Sequence, residues 1–422
     1  MKFRWETEFK ETEIGEIPRD WEVTNFDNDR YFEIITSGIE KFDGFKEYLS
    51  TSSVEGNEIV KIEKLITYDK RPSRANMQPV ENSIWLARML NSPKFLKANK
   101  DLIENKILST GFLGIKTKKK EICDYLFFYI QTKEFQKYKD AYVTGAVQES
   151  LTNENAKKLM VILPPLQEQS RIATVLSWFD DLIENKKRQN EILEKTAMAI
   201  FKNWFVDFEP FKDGEFVYNE ELEKEIPKGW EVDKTTRLIE YNPNISMKRG
   251  EVYPFIEMKN VNTNSLICEP QIKQFSGSGV KYYGGDTLMA RITPSLEHGK
   301  TAFVWFISEN EKGFGSTEFF VLHPRESYLK EFVYLLAKND DFREAAINSM
   351  SGTSGRQRAD INALKDFIIP IPPTYILQSF HSLVEPLFQK IILNQKQIMI
   401  LRKIRDTLLP LLVFGKLRVK EI

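Results

Sequence analysis

Two stretches of this chain carry a stripe of mostly apolar residues whose spacing alternates between four and three. In the first, Ile172, Leu176, Phe179, Ile183, Lys186, Asn190, Leu193, Ala197, Ile200 and Trp204 follow the rule. In the second, Phe380, Val384, Leu387, Ile391, Asn394, Ile398, Leu401, Arg405, Leu408 and Leu412 do the same. A stripe with a mean period of ~3.5 residues is the seam of a coiled coil. Pro164-Pro165 and Pro372-Pro373 precede the stripes, where proline starts a helix but cannot continue one. Pro386 lies inside the second stripe and predicts a kink near the start of that helix. Ahead of each stripe the pattern is different. Short β-rich runs (159–163, 319–323, 367–372) and short helical patterns (124–138, 330–346) are punctuated by Gly, Asn, Ser and Pro. Each such region reads as an α/β (α+β) globular domain.

The chain also repeats itself. IPRDWEV at 17–23 returns as IPKGWEV at 226–232, an offset of 209 residues. Leu163-Pro164-Pro165 returns as Ile371-Pro372-Pro373 at an offset of 208, and the two seams differ by 208 at every position. Between these markers weaker matches keep their order: Ser109-Thr110 with Ser316-Thr317, Arg88 with Arg291, and Gln148 with Gln357. This period is far longer than that of a solenoid, so it describes two similar domains with a pseudo-two-fold relation. The expected layout is a first globular domain over 1–163, a central long helix over 164–209, a second globular domain over 210–371, and a C-terminal long helix over 372–422. Antiparallel pairing of the helices would set positions summing to 584 opposite one another. Asn190 would then meet Asn394, an amide pair of the kind that fixes register in an apolar seam. Each seam would be roughly 50 Å long at ~1.5 Å per residue. A pair of that length suits a spacer between the two globular domains.

Composition narrows the chemistry. Hydrophobic residues make up 41% of the chain and charged residues 29%, as in a soluble protein with buried cores. No apolar run reaches membrane-span length, and the first residues lack a signal-peptide core, so a cytoplasmic setting is expected. Two cysteines and three scattered histidines give neither a disulfide framework nor a clustered metal site. The net charge is −1, so any DNA-binding role must rest on local basic loops.

The duplicated IPRDWEV and IPKGWEV, LPPLQEQSRIATVL (163–176), GGDTLMARITPS (284–295) and SGTSGRQR (351–358) together resemble the specificity subunits of type I restriction-modification systems, over nearly the whole chain. The second half departs from that pattern at IPPTYILQSF (371–380). The resemblance implies two target recognition domains reading the halves of a bipartite, asymmetric site on double-stranded DNA. It implies docking of two modification subunits and of restriction/motor subunits. Methylation of adenine N6 with S-adenosylmethionine, and ATP- and Mg-dependent work, would then fall to those partners, with no cofactor in this chain. The residues agree with this. Asn242-Pro243-Asn244-Ile245 and Pro372-Pro373-Thr374-Tyr375 do not make the Asn/Asp-Pro-Pro-aromatic loop of an adenine methyltransferase, and no GxxxxGK[ST] phosphate loop occurs.

Reading bases needs Arg, Lys, Asn and Gln at base edges and cations at phosphates. In the first domain Arg71, Arg74 and Asn76 are candidates for bases. Lys116, Lys118, Lys119 and Lys120 are candidates for phosphate, or else form a solvated hairpin tip. In the second domain the candidates are Lys259, Asn260, Asn262, Asn264, Ser354, Arg356, Gln357 and Arg358. Arg291, with its equivalent Arg88, suits either DNA contact or a structural ion pair. Trp21 and Trp230 read as buried packing anchors. The rival readings are a stand-alone DNA methyltransferase or nuclease, which would bind cofactor or metal by itself, and a coiled-coil scaffold with no DNA role.

Overall fold

A computed structural model describes residues 2–144, 149–263, 265–353 and 355–421. The chain forms two compact units, Met1–Leu182 with Ile400–Ile422, and Ile183–Met399. The boundary falls inside two 40-residue helices, Leu166–Phe205 and Thr374–Val413. Each unit therefore holds one globular part and a segment of both helices.

The same architecture occurs twice. In the first unit, strands Phe32–Ile35, Ser83–Ala87, Phe95–Lys97 and Phe112–Thr117 make one four-stranded sheet. Its counterpart in the second unit uses Ile239–Tyr241, Thr287–Ala290, Thr301–Phe303 and Phe319–Pro324 in the same order. A second sheet pairs Lys46–Leu49 parallel with Lys106–Ser109, and its counterpart pairs Val252–Ile256 parallel with Lys312–Gly315. At the base of each unit a short ladder precedes the long helix. Leu163 faces Glu22 in the first, and Ile371 faces Glu231 in the second, so the register is preserved at the offset read from the sequence.

The long helices pair antiparallel in both units. In the second unit Asn394 Nδ2 donates to Asn190 Oδ1 at 2.9 Å, and Lys186 Nζ donates to Gln397 at 2.5 Å. In the first unit Arg405 donates to Asp180 at 2.6 Å. All of these pairs sum to within one of 584. The expected seam behaves as a seam: Leu176, Ile183, Asn190, Val384, Ile391, Asn394 and Ile398 are buried, while Phe179, Leu193, Leu387 and Leu401 are half-buried. The second helix is continuous across Pro386, whose ring is exposed.

The two units anchor their tryptophans differently. Trp21 is buried and its indole N–H donates to Glu168 at 3.2 Å. Glu168 also accepts from Arg418 at 2.6 Å, and Arg418 bonds to Asp20 and Glu6. Glu168 belongs to the Gln-Glu-Gln of the first half; Ile376 stands at its place in the second. There Trp230 packs instead against Phe208 at 5.3 Å and Phe211 at 5.2 Å. The aromatic run at the end of the first long helix is thus core packing, and it accounts for the departure at 371–380. An ion cluster in one unit has become an apolar one in the other.

Candidate nucleic-acid interface

The ends of five strands converge on one side of each unit. In the second unit, Ser316 N–H donates to Ile256 O at 3.0 Å, Val280 pairs with Gly315, and Arg291 N–H donates to Glu318 O at 2.9 Å. Thr293 N–H donates to Gln357 O at 3.0 Å, and Ile292 bridges to Arg358. The stretches at 258–263, 276–279, 291–299, 315–318 and 355–358 are therefore neighbours. Gly279, at φ +108°, runs so close to Gly315 that a Cβ there would meet the Gly315 carbonyl oxygen at 2.5 Å, so this approach needs glycine. The equivalent strand ends in the first unit gather the loops at 51–57, 70–74, 88–94 and 109–111. Thr110 N–H donates to Arg74 O, and Arg88 N–H to Gly111 O, both at 2.9 Å.

The sequence candidates fall into three groups on this frame. Arg74, Asn262 and Arg356 are exposed on these loops, and no hydrogen bond or ion pair engages their side chains among the described residues. Others are already engaged. The Arg71 guanidinium lies 4.3 Å from the Tyr68 ring centre and bonds to the Tyr68 carbonyl. Lys259 pairs with Glu257 at 2.7 Å, and Asn260 Oδ1 accepts from Glu257 N–H at 3.0 Å. Arg358 makes a two-pronged pair with Glu318 at 2.8 and 2.6 Å, which holds the Glu318 carboxyl below its usual range. Asn76 and Gln357 are half-buried. Asn264, Ser354 and Gln148 lie outside the described residues.

Lys116, Lys118, Lys119 and Lys120 form the third group, and the structure does not bring them to Arg74. They sit at the far end of strand Phe112–Thr117, about 16 Å away at ~3.3 Å per residue. The segment is no hairpin tip: Lys120 opens helix Lys120–Tyr129, so it is a strand-to-helix junction. Lys118 and Lys119 line a groove with Arg30, Tyr31 and the Pro164-Pro165 foot of the first long helix, and Lys120 pairs with Asp124.

Arg88 and Arg291 both bond to backbone carbonyls of the scaffold. Arg88 donates to Phe112 O at 3.1 Å, Leu151 O at 2.8 Å and Asn153 Oδ1 at 2.7 Å. Arg291 donates to Ala359 O at 3.3 Å and lies 4.9 Å from the Phe320 ring centre. Neither makes an ion pair among the described residues; both clamp carbonyls, and the clamped residues Leu151 and Ala359 are equivalent at an offset of 208.

Sequence reasoning missed another duplicated feature, the tethers of the first loop on this side. Lys94 Nζ donates to Thr51 O at 2.6 Å, and Lys300 Nζ donates to Met258 O at 3.0 Å. The lysines differ by 206 residues and the tethered residues by 207, and this near-equal offset was the available signal. Cys123 and Cys268 are buried, and burial pushes both thiols up to about 12. Among the described residues, no three His, Cys, Asp or Glu side chains gather as metal ligands would, and no helix is long and apolar enough to cross a membrane.

The family model described as type I restriction modification DNA specificity domain matches residues 7–195 and 227–401. The MjaIX specificity subunit of a type I restriction enzyme from Methanocaldococcus jannaschii is 36% identical, over 100% of this chain and 99% of that protein. The HindI specificity subunit of a type I restriction enzyme from Haemophilus influenzae is 21% identical, over 97% of this chain and 100% of that protein. The crystal structure of the type I restriction-modification S subunit from M. genitalium shares the fold, with a TM-score of 0.52 at 16% identity, over 93% of this chain and 96% of that one.

Proposed function

The chain belongs to the family of type I restriction-modification DNA specificity subunits, and from that premise we propose that it reads a bipartite, asymmetric site on double-stranded DNA through the loop clusters just described. The carrying observation is that one scaffold occurs twice, with matched registers and carbonyl clamps, while the exposed side chains on its loops differ. Such a pair is suited to reading two unlike half-sites. The target recognition domains are assigned to 1–163 and 210–371, and the long helices to 164–209 and 372–422. Both helices run through both units, and we assign their heptad count the role of setting the gap between half-sites. Two modification subunits and the restriction/motor subunits dock on this chain and supply S-adenosylmethionine, ATP and Mg chemistry. The chain itself carries no catalytic centre, and it works in the cytoplasm.

Arg74 is assigned to the first half-site, and Asn262 and Arg356 to the second. Lys118 and Lys119, at the opposite strand end, are assigned to a separate stretch of phosphate. The test is selection of DNA by the chain in complex with its modification subunit. Arg74→Ala should relax one half-site by about 1–3 kcal/mol per contacted base and leave the other intact. Arg356→Ala should do the reverse. Lys118→Ala with Lys119→Ala should weaken all sequences alike and flatten the salt dependence. Uniform weakening by all of these variants would refute the assignment of half-sites.

A further inference from the structure

The loop that carries Lys259, Asn260 and Asn262 is held to the body of the second unit at several points. Lys300 binds its Met258 carbonyl, and Lys338 Nζ donates to Thr263 O at 2.7 Å. Trp305 Nε1 donates to Cys268 O at 3.0 Å. These anchors come from the globular part. One further anchor comes from a long helix: Leu266 N–H donates to Glu194 Oε2 at 2.8 Å.

Glu194 is oriented for this task. Its other oxygen accepts from the Tyr334 hydroxyl at 2.5 Å. Tyr334 and Leu266 are both fully buried. Burial and the neighbouring Glu194 carboxylate push the Tyr334 phenol well above its usual range, so it stays a proton donor. A carboxylate that accepts a backbone N–H and a phenol O–H at once is fixed in rotamer, and charge assistance makes both bonds strong. The second long helix adds a bond at the end of the same loop, from Gln395 Nε2 to Glu269 at 2.9 Å.

The first domain cannot copy this device. The lysine tether is duplicated as Lys94 on Thr51, but the position 208 residues after Glu194 is Arg402, whose guanidinium has no acceptor to offer a backbone N–H.

We propose that Glu194 is a specificity-positioning residue: from the spacer helix it holds Leu266, and with it the placement of the 258–263 stretch of the second domain, and so the fidelity with which that domain reads its half-site. The inference rests on the reading of this loop as a DNA contact. It gives the long helix a part in reading one half of the target.

The experiment is a methylation map of randomised DNA by the chain in complex with its modification subunit. Glu194→Ala should raise methylation at sites mismatched in one half, relative to the cognate site, by ~10-fold, the size of one lost base contact. The other half-site should keep its fidelity. Glu194→Gln should lose less than Glu194→Ala, because its carbonyl still accepts from Leu266 while its amide nitrogen cannot accept from the Tyr334 hydroxyl. Tyr334→Phe should show a weaker loss at the same half-site, and decides the matter if the alanine variant does not fold. Unchanged fidelity in the alanine and phenylalanine variants, equal loosening of both half-sites, or a glutamine variant as loose as the alanine one would overturn the proposal. Asn262→Ala separates the two layers. If it leaves both half-sites unchanged, the loop is not a reader and the functional assignment fails. If it loosens one half-site and Glu194→Ala does not, the tether alone fails.

Discussion

Arg418→Met is expected to destabilise the first unit by about 3–5 kcal/mol, the loss typical of breaking a buried charge cluster from one side. The Arg418 side chain is 4% exposed, and those of Glu6 and Glu168 are 4% and 3% exposed. Arg418 is the cation the two glutamates share. Without it they remain buried with like charge and unmet hydrogen bonds, and Trp21 loses the order of its acceptor. Chemical denaturation followed by tryptophan fluorescence reads the effect. The triple variant Glu6→Gln, Glu168→Gln, Arg418→Met should recover most of the loss, because it removes the charges together. If the single variant matches wild type, the cluster does not hold this unit.

The same cluster sets an acid limit. Burial pushes Glu6 up, but the backbone N–H groups of Glu8 and Thr7 and the Arg418 guanidinium outweigh it and hold its carboxyl at about 2, against an ordinary 4.5. Arg418 likewise lowers Asp20 from 3.8. Both folded values lie below the unfolded ones. The stabilisation is therefore complete above about pH 5 and lost as pH falls toward 2. The triple variant should show a flatter profile across that range.

Exchange of residues 24–160 for the corresponding segment of a relative with a different target should replace one half-site completely and leave the other untouched. The cut points lie in the ladder of Glu22–Asn25 with Met160–Leu163, whose register is the same in both units, so an exchanged segment meets a matching base. Several wrong base pairs at ~1–3 kcal/mol each shift the preference between old and new half-sites on the order of 10³-fold or more. Sequencing of methylated products reads it. Simultaneous change in both halves would mean that the two domains do not read independently.

The helices were legible because a heptad stripe is a local signal repeated ten times, and its register survives to within one residue at Arg405–Asp180 and Asn394–Asn190. The duplication was legible where the offset stayed at 208–209. It drifted in the recognition domains, to 203 at Arg88 and Arg291, the residues that follow strands Ser83–Ala87 and Thr287–Ala290. That drift placed the candidates of the two domains on non-equivalent loops. The runs 124–138 and 330–346 are each two helices, broken at the caps Thr132 and Asn339. Both caps are polar residues that accept from the turn they start, a signal the apolar pattern had masked. Glu194 was invisible for another reason: it lies on the wet flank of a heptad, and only the fold brings Leu266 and Tyr334 to it.

The proposed function has this chain select a two-part DNA site through two recognition domains. The most direct measurement is the adenine methylation map of DNA from cells that express the chain with its modification subunit, compared with cells that lack the chain. One asymmetric motif in two parts with a fixed gap, present only with the chain, is the expected result. A single uninterrupted motif, or the same methylation without the chain, would contradict it.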